Sequence, residues 1–283
     1  MKLSHTQFKA AVLQMVSGND VRQNLDTAAT LIARAASAGA VLIVLPENFA
    51  LFATRKLYAL GEREMSAAGD VQQFIAGQAK KYRVYIVAGS LPIADLQQHK
   101  VYATSLLFGP DGQQLARYDK IHLFDADVDD AQGRYCESDY MLAGSEVVSV
   151  ETEYGRLGLA ICYDLRFPEL FRAMFEQGVD IIALPSAFTE HTGAAHWEPL
   201  LRARAIENCC YVLAANQGGE HNGKRRTWGH SMIVDPWGTV LVESGSGEDC
   251  QVTSLDLAKQ QQLRGQLPVH THQRIAVTPI RLG

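Results

Sequence analysis

Two nine-residue segments of the chain align with each other and indicate an internal repeat. Residues 41–49 read VLIVLPENF, and residues 180–188 read DIIALPSAF. Each segment follows a predicted helix and precedes, in the same order, another helix, another strand and a hairpin. The hairpins turn at Pro- and Gly-containing tetrapeptides, residues 109–112 in the first half and 235–238 in the second. The repeat therefore predicts two similar α/β halves.

The hydrophobic pattern of the repeat predicts how the two halves pack. The predicted strands are continuous apolar runs that need cover on both faces, whereas the predicted helices, such as residues 24–38 and 197–208, carry only one apolar stripe. Packing sheet against sheet with helices outside satisfies both, which predicts an αββα sandwich. The Leu-Pro turns at 45–46 and 184–185 then end their strands at one rim. We expect the functional site there, because loops beside a sheet commonly carry function.

Length and composition restrict the class of protein. A chain of 283 residues with 47% hydrophobic residues can form one large α/β domain or two small ones. The formal net charge of -5 offers no basic surface for nucleic acid, and no apolar run is long enough for a signal or membrane segment. Five cysteines without C-x-x-C spacing favour neither a disulfide framework nor a structural zinc site. We therefore expect a cytoplasmic protein that acts on a small molecule.

Cys162 is the candidate nucleophile. A cysteine at the end of a strand is more often inert packing when it is taken alone. Here the residues that follow, Tyr163 to Arg166, turn the chain into a helix that begins at Pro168. The thiol then lies near a helix N-terminus, whose dipole favours a thiolate, and the N–H of Tyr163 can face an oxyanion.

Three charged residues supply the other parts that a thiol nucleophile needs. Glu47 follows the first Leu-Pro turn, Lys120 lies in the segment YDKIHLF, and Glu137 follows Cys136. Each alone is typical of an ordinary surface residue. Together they offer a base for the thiol, a cation for the developing oxyanion and a second carboxylate, which predicts a catalytic site.

Candidate substrate-binding residues flank the same rim. Arg166 lies four residues after Cys162 and can bind a substrate carboxylate through two hydrogen bonds, or else form an ion pair with Glu169. Phe188 and Thr189 follow the second Leu-Pro pair. With the backbone N–H of Tyr163, these residues form the predicted binding surface.

These motifs resemble those of the nitrilase superfamily of carbon–nitrogen hydrolases, from about residue 8 to residue 256. The resemblance implies that the family's Glu-Lys-Cys triad falls on Glu47, Lys120 and Cys162, with Glu137 as the second glutamate. It also implies the αββα fold and a homodimer. The whole chain, 1–283, is expected to be one domain with a core at 8–256 and a tail at 257–283. No metal ion or other cofactor is expected.

Further segments resemble one branch of that family, the deaminated-glutathione amidases. These segments are residues 188–198, 201–207, 229–231 and 235–238. Related omega-amidases cleave α-ketoglutaramate, so the resemblance implies an amidase for a small 2-oxo-acid amide that reacts through a cysteine thioester. The tail at 267–275 departs from the basic and aromatic ending of the family.

The residues leave other functions open. A Cys-His hydrolase would use His191, His196 or His230 as the base. A metal-dependent amidase would use His270 and His272, or the pair His191 and His196, although neither spacing belongs to a known site. The same thiol could serve a nitrilase or an N-carbamoyl hydrolase. A non-catalytic scaffold that binds a carboxylate ligand is the remaining alternative.

Overall fold

The computed structural model describes residues 6–52, 54–130, 133–223 and 225–275. It contains two large mixed sheets, two small hairpin sheets and helices on the outside. Eighteen strands are described within these ranges: β1 Gln7–Gln14, β2 Ala40–Val44, β3 Tyr85–Val87, β4 Leu91–Asp95, β5 Lys100–Phe108, β6 Gln114–Asp119, β7 Asp125–Asp127, β8 Arg134–Cys136, β9 Met141–Leu142, β10 Ser149–Thr152, β11 Gly155–Leu159, β12 Ile181–Ser186, β13 Tyr211–Asn216, β14 Gly218–His221, β15 Arg225–Trp228, β16 Met232–Val234, β17 Val240–Glu243 and β18 Asp249–Asp256.

Seven α-helices and three short 3₁₀ helices lie in the same ranges. The α-helices are α1 Val21–Ser37, α2 Leu57–Arg63, α3 Asp70–Tyr82, α4 Pro168–Glu176, α5 Glu190–Asn208, α6 Leu257–Gln266 and α7 Val269–His272, and the 3₁₀ helices are Thr54–Lys56, Glu137–Asp139 and Cys162–Arg166. None of the helices in the described ranges combines the length and apolar character that a membrane crossing requires.

The two large sheets have the same core topology. In the first, parallel strands β1, β2 and β3 are followed by antiparallel β5 and β6. In the second, parallel strands β11, β12 and β13 are followed by antiparallel β16 and β17. An antiparallel strand flanks each first strand, β18 beside β1 and β10 beside β11. The predicted repeat of two α/β halves is therefore confirmed, including both hairpins.

The alternating residues of β1 show the four layers. Ala10 and Val12 belong to the core that the two sheets share, which extends beneath α4 and α5. Ala11 and Leu13 face the opposite way and pack with residues of α1 and α3. Because side chains alternate between the faces of a strand, β1 is covered by the second sheet on one side and by helices on the other. This is the predicted αββα sandwich.

Two sequence predictions near the second Leu-Pro pair are wrong in detail. Pro185 does not end its strand, since β12 runs on to Ser186 and Pro185 pairs with Ala215 of β13. The pairing of β12 with β11 stops at Ala183, so the missing N–H of Pro185 removes no bond on that side. Helix α5 begins at Glu190 rather than at Trp197, because the Thr189 side chain accepts a hydrogen bond from the Thr192 N–H and caps it.

Candidate active site

A pocket lies at the carboxyl ends of the central parallel strands. Glu47 follows the end of β2 by three residues, and Cys162 follows the end of β11 by three residues. Ligands of α/β sheets commonly bind at this edge. The residues that line the pocket are Glu47, Phe124, Glu137, Cys162, Tyr163, Arg166, Ala187, Phe188, Thr189, Thr192 and Arg225.

A fully buried lysine joins the two carboxylates of the pocket. Lys120 Nζ lies 2.9 Å from Glu47 Oε1 and donates to both oxygens of Glu137, at 3.1 and 2.8 Å. The Lys120 side chain is 0% exposed, and it does not itself line the pocket. The ammonium is therefore buried beside the pocket and is hydrogen-bonded to both carboxylates.

Backbone contacts hold each of these side chains in place. The Phe124 N–H donates to Glu137 Oε2 at 2.7 Å, which helps Lys120 to fix the position of the carboxylate. The Gln217 amide donates to the Glu47 carbonyl at 2.9 Å, and the Asn48 N–H donates to Ser90 Oγ at 3.0 Å. The segment after β2 is thus tied to both halves of the molecule.

Cys162 lies at a tight turn from strand to helix. Its φ of +48° is in the left-handed region, which is uncommon for a residue other than glycine. The buried Asp164 fixes this turn: one carboxylate oxygen accepts from the Ile161 N–H at 2.8 Å and from the Tyr118 hydroxyl at 2.7 Å. The other accepts from the His122 N–H at 3.1 Å. Asp164 therefore joins the turn that carries Cys162 to the segment that carries Lys120.

The electrostatics favour a charged lysine and a protonated thiol. Burial lowers the pKa of Lys120, but the carboxylates of Glu137 and Glu47 outweigh it and the net pKa is raised well above 10.5. Burial and the Glu47 carboxylate raise the pKa of the Cys162 thiol well above 9.0, although Lys120 and the Ala187 backbone amide oppose them. These effects outweigh the helix dipole that favours a thiolate, so the thiol needs a base, the role that the sequence predicts for Glu47.

The pKa of Glu137 is raised by burial and by the neighbouring acid. Burial raises its pKa, Lys120 lowers it, and the Glu47 carboxylate raises it again, so that the net pKa lies above 4.5. The lysine is what keeps two buried carboxylates together in one site.

The predicted substrate-binding residues all reach the pocket. Tyr163, Arg166, Phe188 and Thr189 line it. The Arg166 guanidinium lies over the Phe188 ring at 5.4 Å and contacts His196 Nδ1 at 3.2 Å. These contacts, rather than the suggested ion pair with Glu169, orient Arg166 toward the pocket.

Comparison with known proteins identifies the family. The carbon-nitrogen hydrolase pattern matches residues 9–265. A deaminated glutathione amidase of Yersinia enterocolitica is 43% identical over 265 residues, which are 93% of this chain and 92% of that protein. The chain belongs to the carbon-nitrogen hydrolase family. Omega-amidase NIT2 of Homo sapiens is 37% identical over 269 residues, 95% of this chain and 96% of that protein.

The fold of this carbon-nitrogen hydrolase agrees with a solved relative. The crystal structure of Saccharomyces cerevisiae Nit3, a member of branch 10 of the nitrilase superfamily, matches with a TM-score of 0.87 at 31% identity. The match covers 97% of this chain and 99% of that chain. The resemblance to the nitrilase superfamily and to its deaminated-glutathione amidase and omega-amidase branch is therefore confirmed.

The histidines considered as alternative bases lie outside the pocket of the hydrolase. In the described part of the chain, none of His191, His196 and His230 lines the pocket with Cys162. His230 Nδ1 contacts Glu243 at 2.7 Å, and the His230 ring stacks on Trp228. Over the same ranges, no three His, Cys, Asp or Glu side chains are grouped so as to hold a metal ion.

Sequence reasoning missed part of the pocket of this hydrolase. Phe124 lies in the segment YDKIHLF that carries Lys120, but its sequence position indicates no chemical role. Ala187 and Thr192 have side chains without distinctive chemistry. Arg225 is one of three consecutive basic residues, 224–226, and composition alone does not show which of them faces the pocket. The signal that could have found it is strand alternation: in β15, Arg225 and Thr227 share the inward face, whereas Arg226 is exposed.

Proposed function

We propose that this hydrolase is an amidase that cleaves the amide bond of a small 2-oxo acid, such as deaminated glutathione, through a thioester on Cys162. The observation that carries the proposal is the buried cluster of Glu47, Lys120 and Glu137, whose two carboxylates line the same pocket as Cys162. The products are the 2-oxo acid and either ammonia or an amine.

The first half of the reaction forms the thioester. Glu47 takes the proton of Cys162, which the raised pKa of the thiol makes necessary, and the sulfur adds to the amide carbon. The oxyanion is stabilised by the positive charge of the buried Lys120 ammonium and by the Tyr163 N–H, a contact that can contribute about 3 to 4 kcal/mol when the donor is well placed. Protonated Glu47 then donates its proton to the departing nitrogen, and the C–N bond breaks.

The second half hydrolyses the thioester. Glu47 accepts a proton from a water molecule, and the resulting hydroxide adds to the thioester carbon. The same donors stabilise the second oxyanion. The C–S bond then breaks, the sulfur recovers the proton from Glu47, and the acid product leaves. Glu137 takes no proton in this scheme; its two hydrogen bonds to Lys120 orient the ammonium and keep it charged.

Arg166 supports the choice of a carboxylate-bearing substrate. Its guanidinium can form two parallel hydrogen bonds with the carboxylate of a 2-oxo acid, while Phe188 and Thr189 line the pocket beside it. The relatives act on deaminated glutathione or are omega-amidases by name. We therefore name α-ketoglutaramate, which has the same 2-oxo-acid half, as the alternative substrate.

We also propose that the whole chain is one domain that forms a homodimer in the cytoplasm. All five cysteines are free, as expected in a reducing compartment. Ile206 and Trp237 are exposed neighbours, 48% and 68%, beside the turn at Gly238, and they form an apolar patch that suits a second copy. Sedimentation equilibrium of the wild type and of Trp237→Ser tests the dimer; a monomeric wild type would contradict it.

The activity is tested by measuring the ammonia or amine released from each substrate of a panel that includes deaminated glutathione and α-ketoglutaramate. The panel also contains glutamine, an N-carbamoyl amino acid and a nitrile. We expect the two 2-oxo-acid amides to react fastest and Cys162→Ala to abolish turnover. Mass spectrometry of the wild type with substrate should show an acyl group on Cys162, with Cys209→Ala as the matched cysteine control. Faster turnover of glutamine or the nitrile would contradict the substrate, and turnover by Cys162→Ala would contradict the mechanism.

A further inference from the structure

Arg225 lines the active-site pocket without an assigned role. It begins strand β15, on the inward face, and its guanidinium lies over the ring of Phe52 at 4.7 Å and over the ring of Tyr135 at 5.2 Å. Its Nε is buried and has no hydrogen-bond partner among the residues that the structure describes. A buried donor without a partner is unfavourable in a folded protein, so its persistence beside a pocket points to a ligand group that would complete it.

Arg225 has no ion-pair partner among the described residues. The neighbouring Arg226 instead pairs with Glu190 at 3.1 Å. The pocket carboxylates of Glu47 and Glu137 are held by Lys120. Asp130 accepts from the Tyr135 hydroxyl at 2.8 Å.

His221, which pairs with Arg225 across β14 and β15, does not share the role of cation. Burial lowers its pKa to about 4, a backbone hydrogen bond to Ser17 opposes this, and the Arg225 charge lowers it further. The ring is therefore neutral at pH 7. Arg225 is a permanent positive charge in the lining of the pocket.

Arg225 and Arg166 lie at opposite ends of a row of aromatic rings. Arg166 lies over Tyr163 at 5.9 Å, the Tyr163 and Phe124 centroids are 4.9 Å apart, and those of Phe124 and Tyr135 are 5.1 Å apart. Arg225 lies over Tyr135, at the far end. Because the two guanidinium groups lie over different rings of this row, each offers its own place for an anionic group.

We propose that Arg225 forms a second anion subsite that binds a carboxylate on the amine side of the scissile amide. This inference rests on the proposed function, in which Arg166 binds the carboxylate of the 2-oxo-acid side. The substrate that fits is an amide with one carboxylate on each side of the bond. Deaminated glutathione has this form, since its glycine carboxylate leaves with the amine, whereas α-ketoglutaramate releases only ammonia. Arg225 is thus a specificity residue that separates these two substrates.

Arg225 can contact the substrate only until the thioester has formed, because the amine then leaves. When the C–N bond breaks, the amine takes the proton from Glu47 and carries its carboxylate away from Arg225. The thioester that remains on Cys162 is the same 2-oxoglutaryl group for both substrates. Arg225 therefore affects formation of the thioester and leaves its hydrolysis unchanged.

The test uses three substrates: deaminated glutathione, its C-terminal amide, and α-ketoglutaramate. We expect Arg225→Gln to lower kcat/KM for deaminated glutathione roughly 10- to 100-fold, the range for loss of a charged hydrogen-bonded contact. Its kcat/KM for the C-terminal amide and for α-ketoglutaramate should change by less than about threefold, which also shows that the variant folds. Arg225→Lys should restore part of the loss. Arg226→Gln, next in the strand but exposed and paired with Glu190, is the matched control and should resemble the wild type.

A binding measurement separates this inference from the proposed function. In a Cys162→Ala background, calorimetry should show that deaminated glutathione binds more tightly than its C-terminal amide, and that Arg225→Gln removes the difference. Equal binding of the acid and the amide by the protein with Arg225 intact would overturn the subsite, as would an equal loss on all three substrates. Absence of turnover by the wild type would overturn the proposed function, while the binding comparison would still decide the role of Arg225.

Discussion

At the scale of single residues, Lys120 is the group on which the site depends most. Its ammonium is buried between Glu47 and Glu137, and it counters the charge of both. Lys120→Met leaves two buried carboxylates facing each other without a cation, a change that typically destabilises a protein by about 3 to 5 kcal/mol. We expect kcat to fall at least about 100-fold through the lost oxyanion contact. Urea unfolding and steady-state kinetics measure the two effects.

The pH dependence of Lys120→Met follows from Glu137. Its pKa is already above 4.5 and rises further without the lysine, so the folded state holds a proton that the unfolded state releases. The variant must therefore lose stability as pH rises above about 4.5, and its deficit against the wild type should be larger at pH 8 than at pH 5. Lys80→Met, an exposed lysine of α3, serves as the control. Near-normal activity of Lys120→Met would instead favour a Cys-His site.

The candidate catalytic set was predictable because its parts are chemically distinct and lie beside strand ends. Glu47, Lys120, Glu137 and Cys162 each stand out only in combination, and the structure brings them together. The protonated state of the Cys162 thiol was not predictable, because it depends on burial and on the Glu47 charge. Neither quantity is visible in local sequence.

At the scale of elements, the loop after β3 positions the segment that carries Glu47. Gly89 has a φ of +48°, and a Cβ there would overlap the carbonyl oxygen of Pro46. Gly89→Ala must therefore displace Pro46 and Glu47 or strain the loop. We expect kcat/KM to fall about 100-fold, the effect of moving a catalytic group by about 1 Å. The measurement is steady-state kinetics with circular dichroism to confirm the fold.

The control for Gly89→Ala is Gly77→Ala. Gly77 lies on the exposed side of α3, and an added Cβ meets nothing within 4 Å. Alanine favours a helix over glycine by about 1 kcal/mol, so this variant should be slightly more stable and fully active. If both variants kept full activity, the loop after β3 would not set the position of Glu47.

Sequence patterns predicted the repeated elements better than the irregular ones. Helix α4 begins at Pro168, as predicted, because proline fits the first position of a helix. The strands of the hairpin β14 and β15 were missed, since residues 218–228 are mainly polar and glycine-rich. Those strands carry Arg225, so the part of the site that local patterns predicted least is the part that sets the proposed specificity.

At the scale of the whole molecule, the site exists only because the two halves are fixed against each other. Glu47 and Lys120 follow strands of the first sheet, whereas Cys162 and Phe188 follow strands of the second. Asp164 and Gln217 make the hydrogen bonds that join these segments across the halves. The internal repeat predicted two halves, but it could not predict these joining contacts, because they are made by residues that the repeat does not share.

The proposed single domain predicts that the halves and the tail unfold together. In α6, the Arg264 guanidinium donates to Asp180 Oδ1 at 2.7 Å and to the Val179 carbonyl at 2.7 Å, contacts that anchor the tail to the start of β12. Arg264→Ala removes this largely buried pair and should lower the free energy of unfolding by about 2 to 3 kcal/mol. The exposed Arg274→Ala is the control.

Two spectroscopic signals show whether Arg264→Ala destabilises the whole chain or only the second half. All three tryptophans, Trp197, Trp228 and Trp237, lie in the second half, so their fluorescence reports that half, whereas far-ultraviolet circular dichroism reports both. In one cooperative domain the urea midpoints of the two signals coincide in the wild type, and Arg264→Ala shifts them equally. If the substitution moved the fluorescence midpoint alone, the halves would be separate domains. Because the site contains residues of both halves, activity would then be lost at urea concentrations at which the first half is still folded.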